Sequence, residues 1–221
     1  MSVYIFYSKI DEVKHQSLLE SNLHFLPKNY QNKLLRYRRW QDVQLSLIGR
    51  LLLKKGMSFF DQEVKLQELY FTKYNKPYFE DNNVSFNISH SGEMVVVYMT
   101  NKYKNIGIDI EENHKLKIED FKNQMTDYEE EKIFNSNNPL NEFFTYWTQK
   151  EAALKAHGNG LLVPLQSFEI KEGKTFIESD KYYVTEVKLR EGYSCHVASQ
   201  QKINKEHIII KEIDIDKFIK A

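Results

Sequence analysis

Two long stretches of helical periodicity, each surrounded by short strand-like segments, limit the folds open to this chain. Residues 30–55 carry apolar side chains at spacings of three and four, which predicts one long helix or two helices with a break. Residues 140–157 are also helical in pattern, and Gly158-Asn159-Gly160 predicts a left-handed C-cap. Because helices and strands occur in both halves, the pattern predicts an α+β fold.

The strand-like segments fall into two series that suggest two lobes. The first series comprises residues 2–8, 69–72, 84–88 and 94–100, with a further helix predicted at 12–26. The second begins with 106–111 and continues as a predicted antiparallel meander of segments 168–171, 182–189, 195–199 and 208–213. A join near residues 101–105 predicts an N-terminal lobe, 1–103, and a C-terminal lobe of similar size, 104–221.

Bulk composition argues against several classes of protein. The formal net charge is zero and the basic stretch is short, so a nucleic-acid binder is not expected. No apolar run approaches the ~20 residues of a membrane span, and the apolar N-terminal stretch is too short for a signal peptide. A single cysteine, Cys195, excludes an internal disulfide and a cysteine-based zinc site, and we interpret it as a buried small hydrophobe. We therefore expect a cytoplasmic protein without membrane or nucleic-acid partners.

Charged residues are unevenly distributed along the chain. Residues 28–55 hold eight basic residues against one acid, whereas residues 107–131 hold nine acids against three lysines. A basic first half and an acidic centre suit an anionic ligand held beside a cation. On charge alone, a solvated helix and a solvated loop explain the pattern equally well.

Two acidic residues alternate within the predicted strand 106–111. Because side chains alternate between the faces of a strand, Asp109 and Glu111 are predicted to project to the same side. Two close carboxylates tolerate each other when a cation lies between them, and magnesium prefers a few carboxylates together with phosphate oxygens. Gly107 leaves room for the close approach of another backbone or of a ligand. Taken alone, the pattern also suits a strand with a wet acidic face.

The predicted helix around Trp147 carries a second charged group. Glu151 and Lys155 are four residues apart and share a face with Trp147, while Lys150 lies beside them. Such a Glu–Lys pair usually lies on the protein surface and stabilises the helix by about 0.3–0.5 kcal/mol. Two lysines and a carboxylate are also suited to binding a pyrophosphate together with its metal ion.

The segment Phe86-Asn87-Ile88-Ser89-His90-Ser91-Gly92 reads as a strand that runs into a small polar turn. Adjacent residues on an extended chain point apart, so Ser89 and His90 are not predicted to form a nucleophile–base couple with each other. The chain also has no Gly-x-Ser-x-Gly elbow, which argues against a serine hydrolase. A histidine that donates to a phosphate beside backbone N–H groups and a purely structural histidine are the two remaining interpretations.

Three motifs in series resemble the phosphopantetheinyl transferase family, in its longer single-chain, Sfp-type branch. They are Asn87-Ile88-Ser89-His90-Ser91-Gly92, then Gly107-Ile108-Asp109-Ile110-Glu111, and then Trp147-Thr148-Gln149-Lys150-Glu151-Ala152-Ala153-Leu154-Lys155. Order and spacing are similar across residues 74–160. The resemblance implies two similar lobes related by a pseudo-twofold axis, each a small antiparallel sheet with packed helices, and a monomer.

Carried over by position, the resemblance implies a magnesium site and a coenzyme A site. The implied metal ligands are Asp109, Glu111 and Glu151. Coenzyme A would be held by Lys33, Arg36, Lys76, Ser89, His90, Lys150 and Lys155. Among these, His90 would lie near the 3′-phosphate, and the last two lysines would meet the pyrophosphate. The implied catalytic residues are Glu129, Glu151 and Lys155.

A few positions qualify this transfer of roles. Tyr30 stands where the family has an early lysine, and Asn75, in Tyr74-Asn75-Lys76-Pro77, replaces the glycine of a Gly-Lys-Pro turn beside the adenine. Glu129 aligns with a family glutamate proposed as a base. It also lies three residues after Thr126, a spacing that predicts a helix capping box instead.

The implied reaction is in-line phosphoryl transfer to an acyl or peptidyl carrier protein. A serine of the apo carrier attacks the β-phosphorus of coenzyme A, and 3′,5′-bisphosphoadenosine leaves. Glu129, or a water held by the metal, would take the serine proton. Two other functions stay open: a non-catalytic module that binds coenzyme A or carriers, and a metal-dependent phosphohydrolase that releases product without a carrier.

Overall fold

The structure is a computed structural model that describes residues 3–73, 76–80 and 82–219. Its strands are β1 (Val3–Lys9), β2 (Tyr70–Phe71), β3 (Pro77–Tyr78), β4 (Ser85–Ser91), β5 (Met94–Thr100), β6 (Ile106–Glu112), β7 (Lys174–Ile177), β8 (Asp180–Glu186), β9 (Tyr193–Ser199) and β10 (Ile208–Glu212). Its α-helices are α1 (His15–Asn22), α2 (Lys28–Leu34), α3 (Trp40–Met57), α4 (Asp127–Phe134) and α5 (Pro139–His157). Short 3-10 helices lie at Glu12–Lys14, Leu23–Phe25, Ser58–Phe60, Leu66–Glu68, Ile118–Gln124, Gly160–Leu162, Leu165–Ser167, Lys205–His207 and Ile215–Phe218.

Contacts divide the described chain into two compact units. Unit 1 holds the residues up to Lys102 together with those from Ile208 onward, and unit 2 holds Tyr103–His207. Each unit has one four-stranded sheet and one long α-helix, so the expectation of an α+β fold with two similar lobes is confirmed.

Unit 1 is built on a sheet of order β10–β1–β5–β4. Its central strand β5 is buried at all seven positions, which explains why its sequence is an almost continuous apolar run. Helix α3 packs against β5 and β1, and its apolar residues join the main core of the unit. The helical stretch at residues 30–55 is thus confirmed in its broken form, as α2 followed by α3.

Unit 2 is built on an antiparallel sheet of order β6–β9–β8–β7, with α5 packed across β6 and β9. The close approach of α5 has a local cause at Gly107. A Cβ atom at Gly107 would lie 2.1 Å from the carbonyl oxygen of Ala152 and 2.5 Å from the amide nitrogen of Ala156. The expectation that Gly107 admits another backbone is confirmed, and the backbone is that of the helix that carries Glu151 and Lys155.

The C-terminal segment corrects the predicted lobe boundaries. Residues 208–213 were expected to end an antiparallel meander of the C-terminal lobe, but β10 pairs with β1 in parallel register, with Val3 opposite Ile208. Segment 168–171 is not a strand either, and the sheet instead uses β7. The physical reason is that a short apolar segment predicts a strand without naming its partner, and β1 offers a free edge opposite β5.

Helix ends follow the predicted patterns. Thr126 and Glu129 form a reciprocal capping box at the start of α4, and α5 ends at Gly158 with φ of 92°, a left-handed C-cap. Within the described chain, none of the helices is both long enough and apolar enough to cross a membrane.

Candidate active site

Two carboxylates of β6 face helix α5 in unit 2. Asp109 is buried, with 3% of its surface exposed, and Glu111 is partly exposed two residues further along the same strand face. Gly107 lies on this face as well, so the backbone contact described above holds α5 directly over these carboxylates.

Lys155, near the C-terminal end of α5, reaches back to this strand. Its Nζ donates a hydrogen bond to Oδ1 of Asp109 at 2.5 Å. Burial by itself lowers the pKa of Lys155, but the carboxylates of Asp109, Glu151 and Glu111 together more than offset it. The pKa of Lys155 is therefore raised, and this ammonium stays protonated among three carboxylates.

Glu151 completes this carboxylate group one turn before Lys155. Burial raises the pKa of Glu151, the charge of Lys155 opposes that rise, and the charge of Asp109 adds to it. Within the residues that the structure describes, no three His, Cys, Asp or Glu side chains converge closely enough to form a metal-holding group. We call Asp109, Glu111, Glu151 and Lys155 the carboxylate–lysine group.

The other lysine of the motif, Lys150, lies in different surroundings. Its side chain has 0% exposure, and its Nζ donates to Oε1 of Glu129 at 2.6 Å and to the carbonyl oxygen of Phe168. The ammonium also lies 4.5 Å from the centre of the Phe168 ring and 5.3 Å from that of Tyr146. Burial lowers the pKa of Lys150, against the charge of Glu129.

Glu129 is held from both ends of its carboxylate. Oε1 accepts from Lys150, while Oε2 accepts from the backbone N–H of Thr126 at 3.0 Å as part of the capping box. Only 5% of Glu129 is exposed. These bonds link α4 to α5, and they use the carboxylate oxygens that a base would need for a proton.

A buried polar contact lies beneath α5 beside Asp109. His196 is opposite Asp109 in the β6–β9 register, and its Nδ1 is 2.8 Å from Oγ1 of Thr148. Burial lowers the pKa of His196 to about 3, so the imidazole is neutral. Sequence patterns missed this contact, although a histidine in the apolar run of β9 is a visible signal for it.

In unit 1, Ser89 and His90 lie on β4 and point to opposite sides, as predicted. Ser89 is 6% exposed, whereas His90 is exposed to solvent. The strand continues through Ser91, because Ser91 pairs with Met94 of β5. The polar turn therefore begins later than predicted, at Gly92.

The early basic pair lies at the end of α2. Lys33 and Arg36 are both exposed, and the backbone N–H of Arg36 donates to the carbonyl oxygen of Lys33 at 3.2 Å. Tyr30 is buried, and its hydroxyl lies 2.7 Å from Oγ of Ser46. The guanidinium of Arg50 lies 4.8 Å from the Tyr30 ring centre.

Arg50 is a cation near this pair that sequence analysis did not single out. It lies in the buried part of α3, and burial lowers its pKa against the opposing influence of Tyr30 and Tyr37. The available signal was an arginine inside an apolar helical run, which usually has a specific partner.

Tyr74 and Asn75, which belong to the predicted adenine turn, lie outside the described residues. Lys76 is the next residue of that turn. Its backbone pairs with Thr72 in the β2–β3 hairpin, where Thr72 N–H donates to the carbonyl oxygen of Lys76 at 2.9 Å. Burial lowers the pKa of Lys76 to about 8.

Comparisons with known protein families assign the chain. The profile described as the 4'-phosphopantetheinyl transferase superfamily matches residues 105–209, and that described as 4'-phosphopantetheinyl transferase, N-terminal, matches residues 14–102. The 4'-phosphopantetheinyl transferase gsp of Aneurinibacillus migulanus is 34% identical over 197 residues, which cover 83% of this chain and 78% of the relative. The chain belongs to the 4'-phosphopantetheinyl transferase superfamily.

Other members show similar agreement. The 4'-phosphopantetheinyl transferase Sfp of Bacillus subtilis (strain 168) is 29% identical, with 80% of this chain and 81% of the relative covered. A putative 4'-phosphopantetheinyl transferase of Haemophilus influenzae is 31% identical, with 73% and 71% covered. The predictions that this chain resembles the Sfp-type family and is a transferase are confirmed.

For the roles carried over by resemblance, the geometry separates the phosphopantetheinyl transferase motifs into two sets. The carboxylate–lysine group is assembled around one ammonium in unit 2. Lys150 and Glu129 instead form a buried pair, which counts against pyrophosphate contact by Lys150 and against a base role for Glu129. The individual ligand contacts and catalytic roles stay predictions.

Proposed function

We propose that this phosphopantetheinyl transferase moves the phosphopantetheine group of coenzyme A onto a serine of an apo acyl or peptidyl carrier protein. The observation that carries the proposal is the carboxylate–lysine group, which lies within motifs of this family on β6 and α5. The serine hydroxyl gives its proton to a water molecule as its oxygen bonds to the β-phosphorus, the bond from that phosphorus to the bridging oxygen breaks, and 3′,5′-bisphosphoadenosine leaves.

A magnesium ion fits the chemistry of this group. Asp109, Glu111 and Glu151 supply hard carboxylate oxygens, which magnesium prefers over nitrogen or sulfur ligands. The carboxylates of the group outnumber its one ammonium, that of Lys155, so a divalent cation would offset the excess of acidic groups. Magnesium usually keeps several water ligands and binds substrate phosphates in addition to one or two carboxylates. A complete shell of protein ligands is therefore not required.

The residues of the group have distinct proposed tasks. When bound, magnesium supplies positive charge to the pyrophosphate oxygens. Lys155 supplies a fixed positive charge for the same oxygens, and Asp109 holds its ammonium in position through the 2.5 Å hydrogen bond. Glu151 is attached to the same helix, so its position depends on the packing of α5 over Gly107.

In unit 1, we propose that five residues bind the nucleotide part of coenzyme A. They are Lys33, Arg36, Lys76, Ser89 and His90. The exposed cations Lys33 and Arg36 are supported by their location beside each other at the end of α2, where they are open to an anionic phosphate. His90 is supported by its exposed side chain on β4.

We propose a positioning role for Lys150 and Glu129. Their buried ion pair joins α4 to α5, and α5 carries Glu151 and Lys155. The Lys150 ammonium has no solvent contact, and it donates to two protein oxygens. It is therefore suited to holding α5 in place rather than to binding substrate.

Intact-mass measurement tests the transfer directly. An apo carrier protein is incubated with this protein, coenzyme A and magnesium, with and without EDTA. We expect a gain of about 340 Da, one phosphopantetheine group, which EDTA abolishes because the reaction needs charge neutralisation of the pyrophosphate. Release of product from coenzyme A without a carrier would instead indicate a phosphohydrolase. Coenzyme A binding without any mass gain on several carriers would indicate a non-catalytic module.

The proposal includes a monomer in the cytoplasm. A single cysteine, which is buried, fits a reducing compartment, where disulfides are rare. Light scattering coupled to gel filtration tests the monomer, with one chain mass of 26.4 kDa as the expected result.

A further inference from the structure

Unit 1 contains a cleft of about 530 Å³ at the end of its sheet where β1 finishes and β4 turns into β5. Its walls come from the end of β1, the β4–β5 turn, the start of α3 and the segment after β10. That volume lies in the range of small-ligand sites, which is roughly 300–1,000 Å³. Residues of the proposed transfer reaction do not line it.

Carboxylates dominate the lining of this cleft. Five acids line it, namely Asp11, Glu12, Glu93, Glu212 and Asp214. The lining cations are Lys9 and Lys14, and Lys14 is already paired with Asp216 at 2.6 Å. A cleft with this excess of negative charge attracts cations. We call it the acidic cleft.

Ser8 gives a second, independent sign of a ligand. It lines the acidic cleft and is 1% exposed, and among the described residues its Oγ has no hydrogen-bond partner. Leaving a buried hydroxyl without a partner is unfavourable, so such groups usually bond to a ligand or a water.

The walls of the cleft are held in place by hydrogen bonds. The buried Gln44 accepts from the backbone N–H of Asp11 at 2.9 Å and donates to its carbonyl oxygen at 2.7 Å. Ile10 N–H donates to the carbonyl oxygen of Glu93 at 3.0 Å, and Ile213 N–H donates to that of Tyr7 at 2.8 Å. A cleft with fixed walls binds a ligand at a lower entropic cost than a flexible loop does.

The arrangement of the acids selects the kind of cation. The five acids of the cleft come from three separate stretches of the chain, at residues 11–12, 93 and 212–214. Trp40 also lines the cleft, and indole is the best aromatic partner for an organic cation. Spread carboxylates and an indole suit a ligand with several separate positive groups.

We propose that the acidic cleft binds an organic polycation, whose ammonium or guanidinium groups are carried either by a lysine- or arginine-rich polypeptide segment or by a free polyamine. The carboxylates pair with the separate charges, Trp40 packs against one cationic group, and the Ser8 hydroxyl accepts one hydrogen bond.

Titration of the whole protein with two probes tests this proposal. The probes are acetyl-trilysine amide and spermidine, added at low ionic strength, and the readouts are calorimetric Kd and tryptophan fluorescence. The variants are Glu12→Gln/Glu212→Gln and Trp40→Leu, and the matched control is Glu63→Gln, which removes an exposed acid of the same unit outside the cleft. Circular dichroism checks that each variant is folded.

We expect the double acid variant to weaken probe binding at least about threefold, since each exposed charge contributes modestly. Trp40→Leu should weaken it about two- to fivefold and remove the fluorescence change. Tighter binding of the tripeptide would assign the cleft to a polypeptide segment, and tighter binding of spermidine to a polyamine. The proposal fails if neither probe binds, if Glu63→Gln weakens binding as much as the double variant, or if Trp40→Leu keeps the full fluorescence change.

Discussion

Two lysines of one helix, Lys150 and Lys155, form ion pairs of opposite character. Lys150 has no solvent exposure and is enclosed by Glu129 and aromatic rings. The side chain of Lys155 is 29% exposed and is surrounded by carboxylates in addition to Asp109. Burial lowers the pKa of the first lysine, whereas the carboxylates raise the pKa of the second.

The difference shows how one motif divides its work. Lys150 is fully paired inside the protein, so its ammonium is not available to a substrate. Loss of Lys150 would leave the buried Glu129 carboxylate without its partner charge. A lysine within an excess of carboxylates belongs to a site that still needs positive charge. We therefore expect substitutions at Lys150 to act on stability, and substitutions around Lys155 to act on transfer.

The largest expected effect tests the proposed structural role of Lys150. Lys150→Met should lower the free energy of unfolding by about 3–5 kcal/mol, because Glu129 stays buried without its partner. Urea unfolding followed by circular dichroism measures it. Lys132→Met is the matched control, since Lys132 pairs with Glu142 at the surface and should cost less than about 1 kcal/mol. Equal losses in the two variants would contradict a structural role for the buried pair.

Asp109→Asn tests the proposed role of the carboxylate–lysine group in transfer. It removes a proposed metal ligand and the charge that holds Lys155, so kcat for transfer to the carrier should fall about 10²-fold. Steady-state kinetics with an apo carrier measure the fall. Glu112→Gln, an exposed acid at the end of the same strand, should stay close to wild type. A near-normal rate in Asp109→Asn would remove the carboxylate–lysine group from the mechanism.

Gly107→Ala affects the spacing between β6 and α5, on which the carboxylate–lysine group depends. The added methyl group meets the backbone of α5, so α5 must shift away from β6, at a cost of about 1–3 kcal/mol. Thermal unfolding and kcat should both fall. Gly49→Ala is the control, because its Cβ meets only the side chains of Ile88 and Val95, at 3.2 and 3.4 Å. If Gly107→Ala is as mild as this control, α5 tolerates displacement.

The smallest effect sharpens the role of Glu129. Thr126→Ala removes the side-chain half of the capping box and should cost about 1 kcal/mol of stability, measured by urea unfolding. Thr126→Ser keeps the hydroxyl and should recover most of the loss. A loss in Thr126→Ala as large as that of Lys150→Met would mean that the Thr126 hydroxyl, which also donates to Oε1 of Glu169 at 2.6 Å, matters as much for stability as the buried ion pair.

Much of this molecule follows from local sequence patterns. Period-2 and period-3.6 patterns predict the strands and helices, and Gly107 predicts a close backbone contact that the structure has. Asp109 and Glu111 share a face because strand geometry is local. The three motifs together predict the family.

Long-range partners could not be predicted in the same way. Nothing in residues 208–213 distinguishes pairing with β1 from pairing with β9, because the sequence does not show that β6 and β8 already occupy both edges of β9. Helical spacing places Lys150 beside Glu151, but the side chain's burial depends on Phe168 and Glu129, which are distant in sequence. The contact of His196 with Thr148 likewise depends on tertiary packing.

The comparison between the two lysines is tested most directly by kcat for carrier modification in two folded variants. Lys150→Met/Glu129→Leu replaces the buried pair with apolar groups, a change that is often tolerated, so kcat should stay within about threefold of wild type. Lys155→Met should lose about 10²-fold, because it removes a fixed charge from the carboxylate–lysine group. A double variant that is folded but loses as much activity as Lys155→Met would contradict this account and return Glu129 and Lys150 to the chemistry.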